Sequence, residues 1–222
     1  MSPEEVPEYV PTPGLERAVF FSDAVFAIVI TLLVLPLTVD SRLPTSGSDL
    51  VGQLSVYGPR LLTFLISFMV IGRFWMAHHR MFGLLRRQDQ TLLHLNLLIL
   101  LTVSFLLFPT AILGAQQHAT AQPVVFYAAS MTLISLMFTV TWLYAVRAGL
   151  VAEAVPAEKV SAFTIRTVVT TAVFALSVAA ATLSLWAAIA CWVVLTPVVR
   201  SLVSGYFDRR RAARGSAGVA PQ

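Results

Sequence analysis

Charge is what this chain has least of. Acidic and basic residues make up only 12% of its 222 residues, while 57% are hydrophobic. The mean hydropathy is +0.80. Soluble domains carry about 25% charged residues, so a soluble globular protein is excluded. Cysteine is almost missing as well. The single Cys191 lies inside an apolar run, cannot form an intrachain disulfide, and reads as a small packed hydrophobe rather than a redox group. The first 16 residues hold Glu4, Glu5, Glu8 and Glu16 and no basic residue, the opposite of a signal-peptide n-region. No Thr-Val-Gly-Tyr-Gly run is present to build a carbonyl filter, and no arginine recurs at every third position as in a voltage sensor. Walker and GxGxxG motifs are absent, which leaves ATP and dinucleotide chemistry without support. His78 and His79 are adjacent and point to different helix faces, and His94 and His118 complete no spaced cluster. No fixed metal ligands and no cofactor are therefore expected. An assembled catalytic cluster is lacking too, so an enzyme is not expected.

What the chain does have is long apolar runs, each able to cross a hydrocarbon core of ~30 Å with ~20 helical residues. Six spans are expected: about Arg17 to Thr38, Leu54 to Ala77, Leu92 to Leu113, Val124 to Ala145, and two from the stretch Val160 to Val203, divided near Thr182–Ser184. That last stretch is too long for one helix across a bilayer. The expected fold is an all-α polytopic membrane protein. Residues 1–16 form an acidic N-terminal segment, 17–203 a six-helix membrane domain, and 204–222 a basic tail expected to be disordered.

The formal net charge is +4, but its distribution speaks for membrane topology and not for nucleic acid. Arg80, Arg86, Arg87, Arg147, Lys159, Arg209, Arg210, Arg211 and Arg214 fall on one side of a six-span arrangement. The other side has Arg42, with Arg60 near a helix start. This asymmetry predicts both termini in the cytoplasm. Arg209 to Arg211 read as a topology anchor touching anionic lipid, and Arg166 as a snorkelling residue near the cytoplasmic end of its span. Trp75, Trp142, Trp186 and Trp192 fit interfacial belts or packing.

The first span holds a carboxylate, Asp23, near its start, and Arg17 lies six residues earlier. An ionisable group at membrane depth costs roughly 2.5–3.5 kcal/mol on insertion scales, so it has a partner or a function. At ~100° per residue, Ile28, Leu32 and Leu35 fall on a narrow stripe, with Phe21, Ala24 and Thr31 near the same face. Asp23 lies roughly 140° from Ile28 on the same wheel. Spacing alone leaves two readings of the stripe: a packing or lipid face, or a functional seam.

Arg17-Ala18-Val19-Phe20-Phe21-Ser22-Asp23 matches Arg-x-x-x-Phe-Ser-Asp, and Trp75-Met76-Ala77-His78-His79-Arg80-Met81-Phe82 matches Trp-x-x-His-His-x-x-Phe. These motifs resemble the ends of the first and second helices in bacterial members of the transmembrane protein 175 family, the endosomal and lysosomal potassium channels. The resemblance covers about Arg17 to Val203. It implies a potassium-selective channel that forms a homotetramer, with the first helices around a central pore. It also implies that Ile28 is the narrow point, that Leu32 and Leu35 are further apolar rings, and that Thr31 bears on selectivity.

The chemistry of such a pore is coherent. Four isoleucines offer no oxygen to replace an ion's water, and potassium sheds water at lower cost than sodium. Leakage of protons or other cations fits such a pore. Within the family picture, Arg17, Ser22, Asp23, His78 and His79 read as a polar network pinning the first helix to its neighbours. Arg73, His94 and Asn96 are further candidate partners. A pH-sensing role for His78 or His79 is a second reading. The expected partners are K+, further copies of this chain and membrane lipid, in a bacterial inner membrane. The rivals are a secondary cation transporter and a non-conducting scaffold. Pro36, Pro109 and Pro197 lie late in their spans, which gives little support to the broken mid-membrane helices of a transporter.

Overall fold

A computed structural model describes residues 12–38, 50–115, 121–192 and 201. Among them the secondary structure is helical, apart from one isolated antiparallel bridge between Leu85 and Val151. The helices are α1 (Pro13–Leu32), α2 (Leu35–Thr38), α3 (Leu50–Phe82), α4 (Gln90–Phe105), α5 (Leu107–Gly114), α6 (Ala121–Arg147), α7 (Ala157–Leu183) and α8 (Leu185–Ala190). Five stretches are long and apolar enough to cross a membrane: Pro13–Leu37, Tyr57–Phe82, Gln90–Gly114, Ala121–Arg147 and Ala157–Leu183. The expected sixth span lies mostly outside the described residues, beyond Trp192. So do Arg42, His118, Arg209 to Arg211, Arg214, the tail 204–222 and most of the segment 1–16.

Two expected spans turn out to be broken, and for the same reason. Proline has no N–H, and its ring crowds the carbonyl of residue i−4. Pro36 would face Leu32 in this way, and Pro109 would face Phe105. Each helix yields three residues before its proline. Leu33 (φ −58°, ψ −22°) and Leu106 (φ −60°, ψ −21°) adopt nearly identical angles. The next bonds are of the tighter i−3 kind, from Val34 N–H to the Thr31 carbonyl (3.4 Å) and from Leu106 N–H to the Val103 carbonyl (3.1 Å). Pro59, by contrast, is accommodated inside α3, which runs to 33 residues and is longer at both ends than expected.

The division expected near Thr182–Ser184 falls at Ser184. Its backbone is extended (φ −167°, ψ 155°), and its hydroxyl caps α8 by accepting from the Ala187 N–H. The chain then doubles back. Trp192 donates from Nε1 to Ser177 Oγ at 2.9 Å, and its ring lies 5.4 Å from that of Tyr127.

Helix α6 is the hub, with 56% of its most apolar window buried against 22% for the first span. Apolar side chains gain little by leaving lipid for protein, so hydrogen bonds between helices matter more here than in a soluble core. Several are buried. Ser67 bridges Thr110 and Tyr127 at 3.0 Å each, joining α3, α5 and α6. Thr171 meets Ser135 and Thr139 at 2.8 and 2.9 Å, joining α7 to α6. Buried Trp142 donates to Thr164 at 2.8 Å. The last turn of α6 ends at Gly149, whose positive φ of 65° suits glycine. Arg86 N–H bonds the Leu150 carbonyl, and Ala152 N–H bonds that of Leu84. The ends of α3 and α6 are thereby fixed side by side, next to the start of α7.

Candidate functional site

Helix α1 packs on α3 and α4 and presents two unlike faces. The inward face is Leu15, Ala18, Ser22, Phe26 and Val29, continued by Leu33, at the three- and four-residue spacing of a helix stripe. In its middle sits one polar residue. Ser22 donates to the Ala18 carbonyl at 2.8 Å and accepts from Asn96 Nδ2 at 2.9 Å. Asn96 Oδ1 in turn meets His78 Nε2 at 2.8 Å. Ser22 of α1, His78 of α3 and Asn96 of α4 thus form one buried chain across three helices. The His78 ring is stacked on Phe82 at 4.2 Å, with Phe26 at 5.6 Å and Phe138 at 6.2 Å. The Trp-x-x-His-His-x-x-Phe spacing explains the stack, since residues four apart share a helix face.

The other residues of the expected network are placed differently. Asp23 is half-buried and accepts from Trp75 Nε1 at 2.8 Å, which ties α1 to α3 a second time. Arg17 is exposed, and among the described residues no ion pair joins it to Asp23. His79 is exposed beside Trp75, with ring centroids 6.0 Å apart, and His94 and Arg73 are also exposed. The sequence reasoning did not find Trp75 as the partner of Asp23. The signal was available, because an indole N–H is a donor that wants an acceptor in lipid and Trp75 opens the second motif. Among the described residues no three His, Cys, Asp or Glu side chains converge as metal ligands.

The outward face of α1 carries Ile28, Thr31 and Leu32, and Leu35 follows at the start of α2. Ile28 is 57% exposed, Leu32 38% and Leu35 48%. Thr31 donates its hydroxyl hydrogen to the Ile28 carbonyl at 2.8 Å. Its oxygen is left as an acceptor on an otherwise greasy surface. Leu35 lies beyond the break at Leu33–Val34, so a straight wheel does not place it relative to Ile28. Leu65, Met69 and Leu101, on other helices, are as bare.

Five apolar spans, two of them bent at proline and stapled by buried hydroxyl and amide bonds, define a multi-pass α-helical membrane protein. Residues 17–106 match the family described as the endosomal/lysosomal potassium channel TMEM175. A potassium channel of Chamaesiphon minutus is 38% identical over 165 residues, which covers 72% of this chain and 79% of that one. The crystal structure of a lysosomal potassium-selective channel TMEM175 homolog from the same organism superposes with a TM-score of 0.73 at 30% identity, over 90% of this chain and 98% of that one. The mouse endosomal/lysosomal proton channel TMEM175 is 42% identical over 92 residues, 38% of this chain and 18% of that one. The chain belongs to the TMEM175 family.

Proposed function

We propose that this protein is a channel that conducts K+ passively across a bacterial inner membrane, with both termini in the cytoplasm, and that it is not an enzyme. Four copies would place α1 around a common axis. Ile28 would form the narrow ring, Leu32 and Leu35 further rings, and Thr31 an oxygen beside them. Residues 17–203 would make up the channel domain, between the acidic segment 1–16 and the tail 204–222. The observation that carries this reading is the match to the TMEM175 family, and the division of α1 into a face held by Ser22, Phe26 and Val29 and a bare face with Ile28, Thr31 and Leu32 is compatible with it. A pore helix needs both. Its relatives are named potassium channels in a bacterium and proton channels in the mouse, so leakage of protons or other cations is part of the proposal.

A secondary transporter is favoured by one feature, the pair of broken spans. Both breaks lie past the middle of their spans, however, the one at Leu106 by about 6 Å, whereas transporter sites form at the midplane. The test is K+ and Na+ flux into liposomes holding purified protein. Wild type should prefer K+, with flux that does not saturate as a coupled carrier would. Ile28→Asn should lose much of the preference, because an amide replaces part of the ion's lost hydration. Unchanged discrimination in that variant would place the filter elsewhere.

A further inference from the structure

A second site takes no residue from α1 among the described residues. Helices α3, α6 and α7 enclose a cavity of 180 Å³ whose walls include Phe74, Phe138, Phe163 and Phe174. Three arginines, Arg73, Arg80 and Arg166, line the same space, and among the described residues no carboxylate does. The rings of Phe74 and Phe174 lie 5.9 Å apart. Since α3 ends and α7 begins at the same end of the bundle, that contact sets Arg80 level with Arg166 and Arg73 about two turns deeper. Among the described residues the one side-chain ion pair is Arg86–Glu153, outside the cavity. The Nε of Arg166 is shut off from solvent and, among the described residues, has no hydrogen-bond partner. Snorkelling arginines spread toward water. Arg73 and Arg80 are exposed in this way, but Arg166 is half-buried against apolar walls, where an unmet donor is costly.

The arrangement fits a ligand with an anionic head and a greasy remainder. We infer that the cavity binds the phosphate of an anionic phospholipid from the adjacent leaflet. Arginine forks match phosphate oxygens in pairs, which makes this the natural complement of Arg80 and Arg166. Its volume resembles the ~150 Å³ apolar cavity that admits benzene, so a phosphate and its glycerol would enter while the acyl chains stay in the bilayer. Arg87, Arg147 and Lys159 lie at the same end of the bundle, together with Asp89, Glu153 and Glu158. On the Lys/Arg topology that end faces the cytoplasm, where anionic lipid is concentrated.

The test uses the full-length chain, stripped of lipid in a neutral detergent and offered dioctanoyl phosphatidylglycerol, dioctanoyl phosphatidylcholine or sodium phosphate. Retention by native mass spectrometry and the thermal unfolding midpoint are read together. Phosphatidylglycerol should be retained and should raise the midpoint, while the other two do neither at equal concentration. Arg80→Gln combined with Arg166→Gln should weaken phosphatidylglycerol binding roughly tenfold or more, since charge-assisted hydrogen bonds are lost. The pair Arg86→Gln with Arg87→Gln removes the same charge outside the cavity and should leave binding within about twofold, as screened surface charge does. If the cavity double variant does not fold, Arg166→Lys keeps the charge but loses the Nε donor, and should still weaken binding severalfold. Equal protection by phosphatidylcholine or by free phosphate would overturn the inference. So would equal losses in the two double variants, or undiminished binding in the cavity variants.

Discussion

Asn96 is the residue whose replacement should be felt most. It is 2% exposed and bridges Ser22 and His78, both fully buried. Leucine has nearly its shape, so Asn96→Leu removes two hydrogen bonds with little change in volume. Interhelical hydrogen bonds in membranes average ~0.6 kcal/mol, with a maximum near 1.7. The two losses are not equivalent. Ser22 keeps its own donor bond to the Ala18 carbonyl and gives up only an acceptor contact. Among the described residues His78 gives up its one hydrogen-bond partner, because its Nδ1 already has none. An unmet buried polar group costs about 1–3 kcal/mol. The expected destabilisation is therefore about 2–3 kcal/mol for Asn96→Leu and about 1 kcal/mol or less for Ser22→Ala. Unfolding of the purified protein in mixed micelles, followed by intrinsic fluorescence, measures both. A double-mutant cycle with His78→Phe, which preserves the stack on Phe82, should show coupling of about 1 kcal/mol. A neutral Asn96→Leu, or a Ser22→Ala that costs as much, would refute the assignment of Asn96 as the joint between α1, α3 and α4.

Asp23→Ala should lower the yield of assembled protein more than it shifts ion preference, and Trp75→Phe should reproduce part of that loss, because the indole N–H is the partner of Asp23. Normal assembly with altered selectivity, seen by size-exclusion chromatography and liposome flux, would count against it. Asp89 caps α4 by accepting from the Leu92 N–H and also accepts from the Tyr144 hydroxyl. Burial pushes its carboxyl up, but these bonds and the charge of Arg87 outweigh burial and hold it below the usual carboxylate value. A lowered carboxyl stabilises the fold above its unfolded value of ~3.9, and that contribution fades as pH falls through the folded value below it. Tyr144→Phe should thus cost stability at pH 6 and much less at pH 3, read as thermal midpoints. An equal cost at both pH values would contradict the pairing.

Much of this was legible in the sequence, for particular reasons. The long apolar runs announced membrane helices, and the turn at Ser184 followed from a run too long for one span. Two motifs, Arg-x-x-x-Phe-Ser-Asp and Trp-x-x-His-His-x-x-Phe, pointed to the family. Ser22, His78 and Asn96 could be named as polar residues in need of partners, but not joined. Hydrogen-bond partners 74 and 18 residues apart depend on helix rotation, which no local pattern encodes. The breaks at Leu33 and Leu106 were hidden for a different reason. The spans were expected to run unbroken through Pro36 and Pro109 to Thr38 and Leu113, whereas the chain breaks three residues before each proline and resumes as α2 and α5. The arginine cavity was invisible because Arg73, Arg80 and Arg166 lie on two helices whose neighbourhood only packing decides.

The proposed function makes a mechanical demand that the buried chain of bonds can meet. A ring of alkyl groups has no directional contact with an ion, so how much water an ion must shed there depends on the ring's width. Apolar packing between helices in lipid resists sliding weakly, because lipid offers each side chain nearly the same contacts. Something directional must therefore fix the depth and rotation of α1. Ser22 lies six residues before Ile28, about 9 Å along the helix and roughly 120° around it. There it is held by Asn96, which is itself held by a histidine locked among Phe26, Phe82 and Phe138. A shift of one residue would turn α1 by ~100° and take Ser22 away from Asn96. Any such slip would break a buried hydrogen bond before it could move Ile28, so under the proposed function the polar joint sets the register on which the apolar ring depends.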